Sequence, residues 1–471
     1  MRIGTLVGGL ERPGKEWDGV VDPFTGETVA EVGRGTPELL EEAMTAASSG
    51  FERTRKTPVH QRIAYLETAV ALLKERGEEL AQWMVREGGK PITLARGEVR
   101  RAQVTFSLGI DTARGETGGV VPMDSTPASE GRFGFHTRVP RGPIAAITPF
   151  NFPLNLVAHK WSPALAVGAP MVLKPSEQCP VTGLLLVRWM LEAGIPSDWI
   201  SAMHMEASVA EAMVRDPRMR VLSFTGSGAV GWFLRSIAGE KQVCLELGGN
   251  APLLVDEGAD LDGTLDRMMV GAWAHGGQVC IKTQRILVHD SLYDSFLERF
   301  TERTRLVGVG NPWDEETLVG PLIDSRSRDR VLAWIQEAVD GGARCHLGGQ
   351  ASGNVVAPTI LTHVQPSMRV VCEEVFGPVT TVESFSTFEE GLARANEGPF
   401  GLQAGVITPR LDRAMKAFEE LQYGGVIIND VPTFRVDQMP YGGSGSSGMG
   451  REGVVYAAED FTEPRMVVIR R

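Results

Sequence analysis

Apolar positions recur every three to four residues, opposite charged faces, in three stretches: Pro37 to Arg55, Gln61 to Gly89 and Gly97 to Arg114. That period predicts three long amphipathic helices. Ahead of them, VVDPFTGETVAEV predicts a hairpin turning around Asp22 to Gly26. Residues 116–140 break the helical period. Apolar and polar residues alternate in GGVVPM and again in GRFGFHTRV, which predicts two strands joined by a polar loop.

From residue 143 the pattern changes to buried strand, loop, helix. IAAIT, MVLKP, ISAMH and VLSFTG are short β-rich apolar runs, with helical segments such as Leu184 to Ala193 and Val209 to Arg215 between them. A second series follows residue 250: APLLVD, RILVHD, a helix from Leu292 to Val307, VLAWIQEAVDGG, VVAPTIL, PVTTVESF, GLQAGVIT and GVIINDV. Strands alternating with helices at this interval imply βαβ units and parallel sheets. Two α/β domains in succession are expected, with RMVVIRR as one further strand. No internal repeat or low-complexity linker interrupts them.

Composition narrows the classes. The 471 residues are 42% hydrophobic and 23% charged, as in a globular protein of more than one domain. The net charge is −12, and no Lys/Arg stripe is present to neutralise phosphates, so a nucleic-acid partner is not expected. An anionic cofactor remains compatible, because backbone N–H groups at a helix start can hold it. The five cysteines are widely spaced, without a CxxC pair, and the eight histidines lack metal-ligand spacing, so neither a disulfide framework nor a metal is expected. No apolar run has signal-peptide or membrane-spanning length, which predicts a soluble, cytoplasmic protein.

Six local patterns carry candidate chemistry. FTGSGAVG, residues 224–231, follows an apolar strand, and its Gly226, Gly228 and Gly231 satisfy G-x-G-x-x-G, with Glu246 twenty residues beyond Gly226. That is a dinucleotide fingerprint or a plain strand-to-helix turn, and it comes after several βα units rather than at the first. In GGQVCIKTQRILV, Cys280 sits at a turn like a reactive thiol, although a buried free cysteine is the commoner state. In LELGGN, Glu246 lies between leucines, where burial would raise its pKa toward that of a general base, unless the side chain faces solvent. In TPFNFP, the Asn151 amide is either an oxyanion donor or a turn residue. In LKPSE, Lys174 and Glu177 either share a ligand or form a surface ion pair. EEVFGP places a carboxylate pair beside an aromatic at a turn.

Taken in order, TPFNFP, LKPSE, FTGS, LELGGN, GQVC, EEVFGP, GGVIIND and PYGGSGSSGMGREG resemble the aldehyde dehydrogenase superfamily along nearly the whole chain. The resemblance implies that fold: a Rossmann-like cofactor domain (1–115 and 137–247), an α/β catalytic domain (248–445), and a small β oligomerisation arm with the C-terminal strand (116–136 and 446–471). It implies that Cys280 attacks an aldehyde to give a thiohemiacetal, that Asn151 steadies the oxyanion, and that Glu246 activates water to hydrolyse the thioester. Glu246 is then a base and not a ribose ligand. Cofactor contacts implied are Thr148, Pro149, Phe150, Lys174, Ser176, Glu177, Gly226, Ser227, Leu247, Glu374 and Phe376, with Gly231 for packing only. Asn429 matches a positioning residue near the active site.

The same resemblance shapes the finer expectations. The Glu177 carboxylate accepts ribose hydroxyls and repels a 2′-phosphate, favouring NAD, while Ser176 leaves NADP possible. Glu246 points to water rather than coenzyme A as acyl acceptor. The stretch VPTFRVDQMPYGG resembles the branch of lactaldehyde and non-phosphorylating glyceraldehyde-3-phosphate dehydrogenases. That suggests a small hydroxylated or anionic aldehyde met by Phe152, Arg435, Tyr441 and His275, with Arg435 also readable as an ion-pair partner. The NADP-preferring members of that branch, and a catalytically silent relative, are the alternatives. The family pattern has lysine where this chain has Gly445, so no role is transferred to that position. A homodimer or homotetramer is implied.

Overall fold

The computed structural model describes residues 1–115 and 118–470, so residues 116 and 117 of the expected arm, and residue 471, lie outside the described residues. The three N-terminal helical stretches form α1 (Pro37–Thr54), α2 (Val59–Gly88) and α3 (Ile92–Arg114). Each buries the stripe its period marks, for example Leu66, Ala69, Leu73 and Leu80 along α2. The Thr36 side chain caps α1 by accepting from the Leu39 N–H, and Gly89, in a left-handed conformation, ends α2. The hairpin forms as expected, Trp17–Val21 pairing antiparallel with Thr28–Gly33.

The strand and helix series build two sheets. In the first, the strands Gln242–Glu246, Val221–Thr225, Ile144–Ile147, Met171–Lys174 and Ile200–Ala202 lie side by side and parallel. Antiparallel strands extend this sheet on both edges: Thr5–Val7 and Leu10–Arg12 on one, Gly448–Met449 on the other. Between its strands run α4 (Asn155–Val167), α5 (Val181–Glu192), α6 (Ala207–Arg215) and α7 (Gly228–Ile237). α4 and α5 are buried nearly all round, which fits helices packed between the sheet and α2–α3. Chain order fans out from Ile144–Ile147, first toward Ile200–Ala202 and then back toward Gln242–Glu246. The crevice between the carboxyl ends of Ile144–Ile147 and Val221–Thr225 is therefore a topological switch point, where open α/β sheets bind ligands. This accounts for the late position of the glycine-rich turn: it follows the strand on the far side of the switch.

The second sheet orders Arg344–Leu347, Thr359–Thr362, Val379–Phe385, Thr283–His289, Ala251–Val255, Gln403–Ile407 and Gly425–Ile428, parallel except at its first edge. α8 (Leu261–Trp273) leads from it into the turn that carries Cys280. The terminal strand Thr462–Arg470 pairs antiparallel with Arg132–Pro140, which pairs in turn with Gly118–Val121. Residues ahead of that strand lie elsewhere: Gly448–Met449 joins the first sheet, and the helix Val454–Phe461 packs on α4. Among the described residues no helix is long and apolar enough to cross a membrane, and no cluster of metal-ligating side chains is present.

Candidate active site

A cavity of about 900 Å³ opens between the two sheets, walled by α3 on one side and the end of α8 on another. The chain leaves α8 through a tight reversal in which His275, Gly276 and Gly277 all take positive φ, at 55°, 63° and 70°. Two features lock this turn. A side chain on Gly277 would lie 2.3 Å from the Gly377 carbonyl oxygen, so only glycine fits there. The buried Gln278 amide donates to the carbonyls of His275 (3.1 Å) and Pro321 (3.2 Å) and accepts from the Ile323 N–H at 2.9 Å. The Cys280 thiol is thereby held at the cavity wall, partly exposed, 2.9 Å from the Tyr441 hydroxyl.

Asn151 follows the strand Ile144–Ile147 and is 4% exposed. Its amide donates to the Gln278 carbonyl at 2.9 Å, and its own carbonyl accepts from Lys90 Nζ at 2.7 Å. Glu246 ends the strand Gln242–Glu246, equally buried, and neither carboxylate oxygen has a hydrogen-bond partner among the described residues. Burial, and then the nearby Glu452 carboxylate, push its pKa well above the usual range. Burial likewise pushes the Cys280 thiol up to about 11, while the Tyr441 hydroxyl and Arg435 pull the other way. A nucleophile, an amide donor and an unpartnered carboxyl thus meet at one cavity, the components that acyl chemistry through sulfur requires.

The cavity is more cationic than the sequence suggested. Arg435 lies 3.6 Å over the Tyr441 ring and pairs with Glu452 at 3.1 Å, its side chain 9% exposed, with Nε buried and unpartnered. The two readings of Arg435 both hold: it lines the cavity and it is an ion-pair partner. Lys160, on α4, reaches the same Glu452 at 3.3 Å. Burial works against the Glu452 carboxylate, but Lys160 and Arg435 more than offset this and hold it at about 2. Arg101, on α3, is paired with Asp437 at 2.7 Å, and exposed Arg100 beside it at the cavity lining has no ion-pair partner among the described residues.

Of the sequence-predicted residues, Pro149, Phe150, Asn151, Phe152, Gly226, Ser227, Glu246, Leu247, Cys280, Glu374, Phe376, Arg435 and Tyr441 line this one cavity. Thr148, Lys174, Ser176 and Glu177 lie off it: Lys174 ends the strand Met171–Lys174, and the others are on the loops after Ile144–Ile147 and Met171–Lys174. There Lys174 Nζ meets Glu177 at 2.9 Å, and Ser176 Oγ accepts from the Gln178 N–H at 3.2 Å. Asn429 is not brought in. It is exposed at the end of Gly425–Ile428, in a left-handed conformation, and its side chain accepts from the Thr408 N–H. Sequence reasoning missed Lys90, Glu98, Lys160, Glu452 and Lys282. Each is a charged residue within a buried segment, and no local spacing pairs it with its partner.

The residues present fit a dinucleotide. Ser227 precedes α7 without capping it through its side chain, which leaves the first N–H groups of the helix for a phosphate. Open space lies in front of Gly228, where the nearest neighbour of an added side chain would be 3.9 Å away. Gly231 is packing: a side chain there would run into Leu247 and Phe224. Phe150 and Phe376 meet edge to face at 5.9 Å, and Glu374 accepts from the Gly249 N–H at 3.1 Å. Burial raises Glu374 to about 7 and lowers Lys282, which anchors the Gly377 carbonyl at 3.0 Å, to about 7.

The profile of the aldehyde dehydrogenase family matches residues 13–467 of the chain. The 3-sulfolactaldehyde dehydrogenase of Priestia aryabhattai is 40% identical over 451 residues, covering 96% of this chain and 94% of that protein. Among solved structures, aldehyde dehydrogenase 21 from Physcomitrella patens, in complex with the reaction product succinate, is similar at a TM-score of 0.98 with 38% identity, covering 100% of this chain and 98% of the other. The glyceraldehyde-3-phosphate dehydrogenase of Methanocaldococcus jannaschii complexed with NADP gives a TM-score of 0.93 and 35% identity, covering 97% of this chain and 100% of the other.

Proposed function

The chain belongs to the aldehyde dehydrogenase family and is an NAD(P)-dependent oxidoreductase, and on that premise we propose that its substrate is a small hydroxylated or anionic aldehyde, the anionic kind favoured, oxidised through Cys280, Asn151 and Glu246. The Cys280 thiolate adds to the aldehyde carbon, forming a thiohemiacetal. The Asn151 amide and the Cys280 N–H hold the oxygen that becomes negative. Phe376 and Glu374 would hold a nicotinamide here, which when bound would accept the hydride lost as the thiohemiacetal becomes the Cys280 thioester. Glu246 then takes a proton from water as that water attacks the Cys280 thioester, and the carboxylic acid and free thiol are released.

One observation carries the substrate reading: a buried guanidinium, Arg435, lines the cavity beside the nucleophile, paired with Glu452 but with its Nε unpartnered among the described residues. Such a group favours an anion at the far end of the aldehyde. The relatives agree, since one acts on 3-sulfolactaldehyde and another holds succinate. NAD is the preferred cofactor in this reading, because the Glu177 carboxylate repels a 2′-phosphate. All five cysteines are free, which suits a reducing cytoplasm, and Val468 and Ile469 on the terminal strand are exposed, which suits arm-mediated assembly of two or four copies.

The test is NADH formation with 3-sulfolactaldehyde and succinic semialdehyde against uncharged aldehydes of the same length. The anionic compounds should be favoured by about tenfold or more in kcat/KM, and Arg435→Leu should remove most of that margin. Equal turnover of charged and uncharged aldehydes would sink the substrate reading.

A further inference from the structure

His275 is the member of the nucleophile turn whose side chain is left over once the turn's own bonds are counted. Its carbonyl accepts from the backbone N–H and the side-chain amide of Gln278, at 3.2 and 3.1 Å. Its imidazole lines the cavity and is 2% exposed. The Nδ1 atom is buried without a partner, and no protein group among the described residues hydrogen-bonds either ring nitrogen. The backbone adds a second cost, because φ is 55° at a residue that is not glycine. Glycine at this position would remove both. A residue that is strained and unsatisfied at a cavity wall is held there for what it meets in the cavity.

The chemistry of the ring narrows what that is. Burial, and then the Lys90 ammonium, push His275 well below the usual histidine range, so the ring is neutral. A neutral imidazole donates from one nitrogen and accepts at the other. A hydroxyl group, which also does both, can pair with either nitrogen, whereas a sulfonate or carboxylate can meet only the N–H and gains no charge pairing from a neutral ring. Val270 and Ala274 beside it, and Leu94 and Gly97 of α3, give the cavity lining an apolar share, while the Lys90 ammonium is already held by Glu98 and the Asn151 carbonyl. The guanidinium groups suited to an anion belong to other elements, Arg101 on α3 and Arg435 near Tyr441.

We propose that His275 is a specificity-determining residue, hydrogen-bonding a hydroxyl on the carbon chain of the aldehyde and so selecting hydroxylated substrates over their deoxy analogues. This rests on the aldehyde-oxidising reading above. Lactaldehyde and propanal differ by the hydroxyl alone and serve as the matched pair, assayed as NADH formation with wild type, His275→Gly and His275→Asn. Glycine favours the backbone at this position, so His275→Gly removes the ring while relieving the positive-φ strain.

In wild type, lactaldehyde should exceed propanal in kcat/KM by about tenfold or more. In His275→Gly the ratio should fall to within about twofold of unity, chiefly through loss on lactaldehyde, and His275→Asn should keep an intermediate ratio. The proposal is overturned by a wild-type ratio near unity, by a ratio unchanged in His275→Gly, or by equal loss on both aldehydes. Absence of turnover of both by cofactor-saturated wild type would instead overturn the aldehyde-oxidising reading itself.

Discussion

The Lys90 ammonium lies 2.7 Å from the carbonyl oxygen of Asn151, and its carboxylate partner Glu98 accepts the N–H groups of Leu154 and Asn155, each at 2.9 Å. One buried ion pair therefore fixes both the amide-bearing residue and the start of α4 behind it. Lys90 also sits 3.8 Å over the Phe152 ring, which closes the same loop from the cavity side. The placement of Asn151 is an outcome of α2, α3 and α4 together.

Lys90→Met should lower kcat by roughly tenfold or more, short of the 10²–10³ expected for deleting an oxyanion donor, and leave cofactor affinity unchanged. It should also destabilise the fold by about 3–5 kcal/mol, because Glu98 is left buried and unpaired. The double variant Lys90→Met/Glu98→Gln should recover much of the lost stability and little of the rate. Steady-state kinetics with thermal melts on the three proteins make the check, and full recovery of kcat in the double variant would count against a positioning role.

The thiol of Cys280 supplies a pH dependence whose sign follows from its environment. Burial pushes it up to about 11, so at neutral pH it is mostly protonated, and the thiolate grows about tenfold per pH unit until that value is approached. Alkylation of the cofactor-free enzyme should accelerate steadily from pH 7 to 10 without levelling off. In Tyr441→Phe the hydroxyl that stabilises the thiolate is gone, and the rate at pH 8 should fall about three- to tenfold. A plateau below pH 9 in the wild type would contradict the burial argument.

Much of this was legible in the sequence, for physical reasons that differ by element. The helical stripes of α1, α2 and α3 follow from period alone. The turn around Cys280 is legible because steric limits force glycine at position 277, as they do at Gly249, where a side chain would approach the Cys280 carbonyl oxygen to 2.4 Å. Buried charges are another matter. Lys160 and Glu452 are 292 residues apart, and Lys90 lies 61 before Asn151, so only the folded topology brings them together. Asn429 failed in the opposite direction, since a side chain in a matching motif turned out to satisfy a local strand end.

Glu246 carries a prediction on a separate step. Both its oxygens lack a partner among the described residues and its pKa is raised well above the usual range by burial and by Glu452, so the base form appears only as pH rises. Thioester hydrolysis should therefore increase with pH, with its rise lying above the usual carboxylate range. Glu246→Gln should retain a first burst of NADH close to one per active site and slow the following turnover by about 10² or more. Stopped-flow traces separate the two phases, and equal loss of burst and turnover would assign Glu246 to an earlier step.

In the proposed reading, Glu177 decides between cofactors by charge. It is about half exposed and bonded to Lys174 at 2.9 Å, so the pair can open toward a ribose. Glu177→Gln removes the repulsion of a 2′-phosphate and frees Lys174 to meet it. The NADP to NAD ratio of kcat/KM should rise by about tenfold or more, chiefly through KM for NADP. An unchanged ratio would move the discrimination to other residues of the loop.

The position where the family carries lysine gives a stability test. Gly445 has φ 58°, and a side chain there would lie 2.7 Å from the Pro399 carbonyl oxygen, across the short ladder that pairs Ser444–Gly445 with Phe400–Gly401. Glycine is required by this local backbone, independently of any role at the site, since Gly445 does not line the cavity. Gly445→Lys should cost roughly 1–2 kcal/mol for the left-handed conformation, with more for the close approach. Thermal melting should show the loss, while kcat/KM well below the new midpoint should stay within about threefold of wild type. A variant as stable as wild type would mean that the loop re-forms around the lysine. A variant of full stability with altered substrate selectivity would place this loop back at the cavity.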